Sequence, residues 1–268
     1  MAEAPPTTNG TSPKPTIVLI HGLWMSPSCW EDWTTFFSSK GYTAIAPGWP
    51  GLNNLTVQKN PENPQSPRRF NYRQNHQQLR QDNQSPPLTI HHNRALIRRS
   101  LHANPPFKGP RNRRRRPIFR PTTGVLTLKL STVKAEFGVL GNPLNYNKAV
   151  PISASQFHYN FGNHLNATDS KALYEKYAIP AAGHILFQGV LGLLNKKGKG
   201  SVDFGKKDRA PLLLVAGTTD HVVPRGVVEA EKKHYVGPAV MEYKVFEGRT
   251  HGIVNQAGWE EVADFALK

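Results

Sequence analysis

The feature that most constrains this chain is the stretch Pro15 to Gly51. Thr16-Ile17-Val18-Leu19-Ile20 is an apolar, mostly β-branched run, the pattern of a strand buried on both faces. It ends at His21-Gly22, where a glycine permits a sharp turn and lets a ligand approach the main chain. Trp30, Trp33, Phe36 and Phe37 then recur at helical spacing over residues 30–39, and Gly41 stops the helix. Residues 42–47 read as a second strand. Strand, His-Gly turn, helix, strand is one βαβ unit. Its first loop lies at the carboxyl end of a strand, where open α/β sheets bind ligands.

With 268 residues the chain can build one large α/β domain with a real core. Residues 1–14 read as a polar tail with no export signal. No apolar run approaches the roughly 20 residues that span a bilayer. The single Cys29 excludes an internal disulfide and fits a reducing, cytoplasmic setting. The sequons at Asn9, Asn54 and Asn166 are then chance matches.

The net charge of +16 would ordinarily point to nucleic acid or an anionic surface. Its distribution argues otherwise. Residues 63–120 hold 14 Lys and Arg against one acid, Asp82, while the rest of the chain holds 20 basic and 17 acidic residues. Only 13 of the 58 residues in that block are apolar, too few for core elements. A structureless loop of that size inside a compact domain counts against the reading that needs it.

Residues 15–57 and 121–268 resemble the α/β-hydrolase fold family, in particular its small intracellular members of the His-Gly-Leu-Trp type. The resemblance implies a mostly parallel central sheet with flanking helices and a helical cap over about 141–200. It also implies a nucleophile elbow, G-x-S-x-G, after a central strand. No such motif occurs in this chain. One nucleotide out of frame, however, the basic block accommodates it. Arg94 to Ser100 written as CGG GCA CTC ATT CGG AGG AGC reads G-H-S-F-G-G once the first base is dropped. The wobble bases are free choices. The middle bases are not, and they become first bases that fit all six codons. The same shift turns residues 91–93 into the end of an apolar strand, makes a helix pattern of 70–83, and makes of 101–116 an amphipathic helix, a Gly-rich stop and the start of a strand. Residues 63–120 are therefore read as a shifted frame; the alternative is a natural Arg-rich insert.

Further along, Ser153 precedes an aromatic run of Phe157, Tyr159 and Phe161, and Asn166 offers an N-cap for a helix ending near Tyr177. An apolar helix is expected over 185–194. Residues 211–216 read as a buried strand, 226–234 as a helix, 241–246 as a more exposed strand and 259–267 as a closing helix.

The resemblance places the triad acid at Asp220 and the triad base at His251. They stand in the expected order, Ser then acid then His, 31 residues apart. Leu23, with His21 and Gly22, would form the oxyanion turn. Each has an ordinary alternative, since an Asp after Gly-Thr-Thr is also a common helix cap and a lone His is usually structural. His221 is a neighbour that could mislead the assignment, and Asp208 lies at the wrong end of its strand. Trp24, Trp49 and Phe157 would line an apolar pocket, though core packing suits most such aromatics as well. No metal or cofactor is expected, and the partner would be a small acyl substrate rather than nucleic acid. Ser26, Ser28 and Cys29 follow the first turn but are not on an elbow. As written, the chain lacks a nucleophile and its central strand, and is expected to be inactive and poorly folded. Two other readings remain: a basic binder of nucleic acid or anionic surfaces through residues 111–120, and a non-catalytic pseudo-hydrolase.

Overall fold

The computed structural model describes residues 14–48, 88–91, 95–98, 132, 134–135, 139–183, 185–187, 204–205, 207 and 211–268. Trp49, Asp208 and most of 63–120 and 188–203 lie outside them. Strand β1 (Ile17–Ile20) is buried along its whole length, as an apolar β-branched run covered on both faces should be. It pairs in parallel with β2 (Ala44–Ile45) on one side and β3 (Leu88–His91) on the other. Strand β4 (Ala95–Arg98) runs antiparallel to β3 and to β7 (Leu212–Gly217), which pairs in parallel with β8 (Met241–Phe246). The order across the sheet is β2-β1-β3-β4-β7-β8. Two reversals of direction at β4 leave β1, β3 and β7 pointing the same way, so their carboxyl ends share one edge.

The sheet corrects one expectation. The central position is not empty: β3 is in register with β1, Leu19 opposite Ile90 and Ile20 opposite His91. Leu88-Thr89-Ile90 is a short run suited to a strand, and Ile90 is buried. The ladder between β1 and β7 is thus closed, although β4 enters against the parallel pattern.

The two faces are covered by different helices. The side chains of β7 alternate: Leu213 and Val215 join the main core, and Leu212, Leu214 and Ala216 join a smaller one with Val228. Helix α1 (Glu31–Ser39) packs Trp33 and Phe37 into the main core and ends at Gly41, whose φ of 77° is left-handed. A 3-10 turn over Pro27–Trp30 precedes it, so the expected helix begins one residue late behind a proline-led turn. The closing helix stacks Trp259 on Trp33, ring centroids 5.7 Å apart, and seals that face.

The cap region begins with a 3-10 turn (Pro143–Asn147) and a two-stranded antiparallel pair, β5 (Ala149–Val150) with β6 (Ala181–Ala182). Between them lie α2 (Ala154–Asn160) and α3 (Ala167–Tyr177). Ser153 Oγ caps α2 at the Gln156 N–H, and Asn166 Oδ1 caps α3 at the Asp169 N–H. Of the helix expected over 185–194, residues 185–187 are described and helical. Helices α4 (Arg225–Lys232) and α5 (Trp259–Leu267) complete the chain.

Candidate active site

The site is built from two loops stitched together beyond β7 and β8. Gly217 ends β7 hard against the other loop: a Cβ there would stand 2.2 Å from the Arg249 carbonyl oxygen, so no larger residue fits without movement. The Thr219 N–H donates to the Arg249 carbonyl at 3.0 Å, and the Gly248 N–H donates to Thr218 Oγ1 at 2.8 Å. These contacts bring residues 218–220 beside 248–251.

Asp220 follows directly. Its Oδ1 accepts the N–H groups of Val222 and Val223, both at 2.8 Å. Its Oδ2 accepts the Nδ1–H of His251, also at 2.8 Å. The side chains are only 11% and 4% exposed, so water competes little for this contact. Both carboxylate oxygens are used, and the acid is held in one rotamer. A carboxylate on Nδ1–H fixes the imidazole tautomer and leaves Nε2 as the basic nitrogen. The ordinary role of Asp220 as a backbone cap and its role as partner to His251 are both present, one on each oxygen.

The His251 loop has a buttress of its own. The Arg249 guanidinium donates to the carbonyls of Ala257 and Gly258, the latter at 2.7 Å, and reaches Glu261 at 3.5 Å. The Thr250 N–H donates to Gln256 Oε1 at 3.0 Å. Nothing in the local sequence marks Arg249 or Gln256, because their partners are carbonyl groups set by the turn itself.

His221 takes no part in the pair. Its Nδ1–H donates to the Tyr159 carbonyl at 2.9 Å and its ring stacks on Tyr159.

The first turn lies at the same sheet edge, beyond β1. His21 is buried and its Nδ1–H donates to the Gly22 carbonyl at 2.9 Å. Burial pushes its pKa down to about 4, so the ring is neutral at pH 7. Among the described residues the Leu23 N–H has no hydrogen-bond partner. Trp24, next in line, has φ of 60°. The turn is tied to the cap: the Ile179 N–H donates to the Trp24 carbonyl at 3.0 Å and the Ser26 N–H to the Tyr177 carbonyl at 2.9 Å.

The pocket-lining aromatics divide differently from expectation. Trp24 is 4% exposed and its indole N–H donates to the Val150 carbonyl. Phe157 is fully buried between Phe161 and Tyr174. Both pack as core residues, Trp24 under the cap strand that holds Val150 and Phe157 within the cap itself; Trp49 is outside the described residues.

Two residue types near the turn could serve as nucleophiles, and neither is activated. Ser26 Oγ is buried and bonded to Ser28 Oγ at 2.5 Å. Burial drives the Cys29 thiol well above its usual range. Among the described residues no group of His, Cys, Asp and Glu could hold a metal ion. No helix there is long and apolar enough to cross a membrane.

No protein-family model matches the sequence, and no curated protein does. Solved structures do match. An extracellular alpha/beta-hydrolase from a Paenibacillus species superposes with a TM-score of 0.58 at 15% identity, over 95% of this chain and 98% of that one. Tomato methylketone synthase I gives a TM-score of 0.51 at 14% identity, covering 96% and 97%. Polyneuridine aldehyde esterase gives 0.51 at 11% identity, covering 95% and 98%. Taken with the sheet order and the helices on both of its faces, these matches make the chain an α/β-hydrolase-fold protein.

Proposed function

We propose that this chain descends from a serine-type hydrolase of an ester or related acyl bond, with Asp220 as triad acid and His251 as triad base. The observation that carries this reading is the 2.8 Å contact of His251 Nδ1 with Asp220 Oδ2, while two backbone N–H groups hold the other carboxylate oxygen. In this reading the nucleophile is the serine of the G-H-S-F-G-G elbow in the shifted frame. His251 Nε2 takes the serine proton as Oγ attacks the acyl carbon. The oxyanion is met by the Leu23 N–H and by the N–H after the serine. His251 then returns the proton to the leaving alcohol, and water repeats the sequence to release the acid. Asp220 stays ionised throughout and stabilises the imidazolium.

The chain as printed has no elbow serine. For that product the reading is a pseudo-hydrolase, folded around the pair but without turnover. The transcript across codons 60 to 122 separates the two. Compensating one-base differences at the two ends of the block yield the intact elbow while residues 121–268, with Asp220 and His251, keep the printed frame, and the resulting protein hydrolyses a short-chain aryl ester in a manner abolished by His251→Ala. A transcript matching the printed chain, or hydrolysis that survives His251→Ala, would remove the enzyme reading.

A further inference from the structure

We propose that the stretch 159–164, leaving the carboxyl end of α2, is the positioning element of the Asp220–His251 pair. The proposal rests on the reading of those two residues as acid and base. It comes from an arrangement around them: the residues on both sides of Asp220, and the residues on both sides of His251, all contact this one stretch.

On the acid side, Asn163 Nδ2 donates to the carbonyl of Thr219 at 3.1 Å. The carbonyl of Tyr159 accepts from His221 Nδ1 at 2.9 Å, with the two rings stacked 4.4 Å apart. Asp220 is therefore suspended between two anchored neighbours. On the base side, Thr250 Oγ1 donates to the carbonyl of Phe161 at 3.3 Å. Gly252 lies so close to the same carbonyl that a Cβ would come within 2.4 Å of its oxygen. The Phe161 ring lies 5.4 Å from the imidazole of His251, and His164 Nδ1 stands 3.4 Å from Thr250 Oγ1.

The two loops also touch each other, but those contacts sit at Gly217–Thr219 and Gly248–Arg249, on the sheet side. Each loop also has bonds of its own, from the Val222 and Val223 N–H groups to Asp220 and from the Thr250 N–H to Gln256, but the stretch 159–164 contacts both loops away from the sheet. Without it the two loops could shift relative to each other, and the distance between Oδ2 and Nδ1 would vary. A hydrogen bond of 2.8 Å has little tolerance for that, because it weakens steeply with angle and distance. The stretch belongs to the cap region, so the cap is part of the frame of the pair as well as a cover over it.

The test reads the imidazole directly and needs no nucleophile or substrate. The full chain is labelled with ¹⁵N-histidine, and the His251 Nδ1 proton is followed by NMR in shift and in exchange with solvent. Asp220→Asn gives the limit of a lost partner. Asn163→Ala removes the acid-side tie to Thr219; Thr250→Val removes the base-side contacts to Phe161 and His164, together with the bond that Oγ1 accepts from the Gly252 N–H. Each is expected to speed exchange of the Nδ1 proton about tenfold and to move the ring nitrogens toward their Asp220→Asn values. Ser153→Ala weakens α2 at its far end without touching either loop, and should leave the His251 signals in place even where it lowers Tm. Unchanged exchange in both Asn163→Ala and Thr250→Val, with Asp220→Asn clearly shifted, would overturn the proposal. A His251 signal indifferent to Asp220→Asn would instead remove the acid–base reading, and the proposal with it.

Discussion

The α-carbon of Gly217 faces the carbonyl of Arg249 so closely that any side chain would have to displace it; an added Cβ would lie 2.2 Å from the oxygen. This contact sets the spacing between the strand that delivers Asp220 and the loop that delivers His251. Gly217→Ala is expected to destabilise the fold by about 1–3 kcal/mol, the usual range for forcing an extra carbon into a filled space. Urea unfolding checks the size. The same variant should disturb the Asp220–His251 contact, and a variant of unchanged stability would mean that the two loops slide apart at little cost.

Removal of the base or the acid should separate chemistry from folding. In the protein carrying the elbow serine, Asp220→Asn is expected to lower kcat by about 10⁴-fold and His251→Ala by about 10⁶-fold, with KM nearly unchanged. Asp220→Asn keeps an oxygen for the Val222 and Val223 N–H groups, so its fold should persist. Steady-state hydrolysis of an aryl ester beside circular dichroism checks both. A parallel fall in kcat and in folded content would assign Asp220 to structure alone.

Elements with strong local patterns were legible in the sequence. The alternation over Met241–Phe246 and the apolar spacing over Trp259–Leu267 coincide with β8 and α5. Asn166 caps its helix because an Asx side chain needs only its own next turn. Contacts made across the fold were not legible. Nothing local in residues 88–91 places them beside β1, and nothing in 95–98 reverses their direction between β3 and β7. The same holds at the site. Asp220 and His251 could be singled out by position in the chain, but the four flanking contacts to residues 159–163 are tertiary. Trp24 and Phe157 illustrate the converse: an aromatic near a turn looks alike in sequence whether it lines a pocket or fills the core, and here both fill the core.

Burial of His21 gives the fold a pH dependence with a definite sign. The ring is neutral in the native state with a pKa near 4, against about 6.5 in the unfolded chain. Between those values the unfolded chain binds the extra proton, so stability is complete above pH 6.5 and is lost as pH falls toward 4. The shift corresponds to about 3 kcal/mol across that window. Burial also lowers the pKa of His164, which adds in the same direction. Urea midpoints measured from pH 7 to pH 4.5 should fall steeply in the parent chain and less steeply in His21→Asn, which cannot titrate there. Equal slopes in the two would show that His21 takes up its proton without unfolding.

Trp24 is held in a left-handed conformation that a bulky residue rarely adopts, φ 60°, and it is the one such non-glycine position among the described residues. That conformation costs roughly 1–2 kcal/mol. It persists because the side chain is buried, its indole N–H donates to the Val150 carbonyl at 3.1 Å and its own carbonyl accepts from Ile179 at 3.0 Å. Two substitutions divide these terms. Trp24→Phe keeps the strain and most of the bulk but loses the hydrogen bond to the Val150 carbonyl, a net loss of about 0.5–1.5 kcal/mol. Trp24→Gly relieves the strain but empties the site, and truncation of a buried aromatic costs roughly 3–5 kcal/mol. The glycine variant should therefore be less stable than the parent by about 1–4 kcal/mol, the difference of those two estimates. Its turn should also be freer than the phenylalanine variant's, visible as a lower order parameter for the Leu23 amide. A glycine variant more stable than the parent would mean that strain at this turn outweighs the packing of the cap upon it.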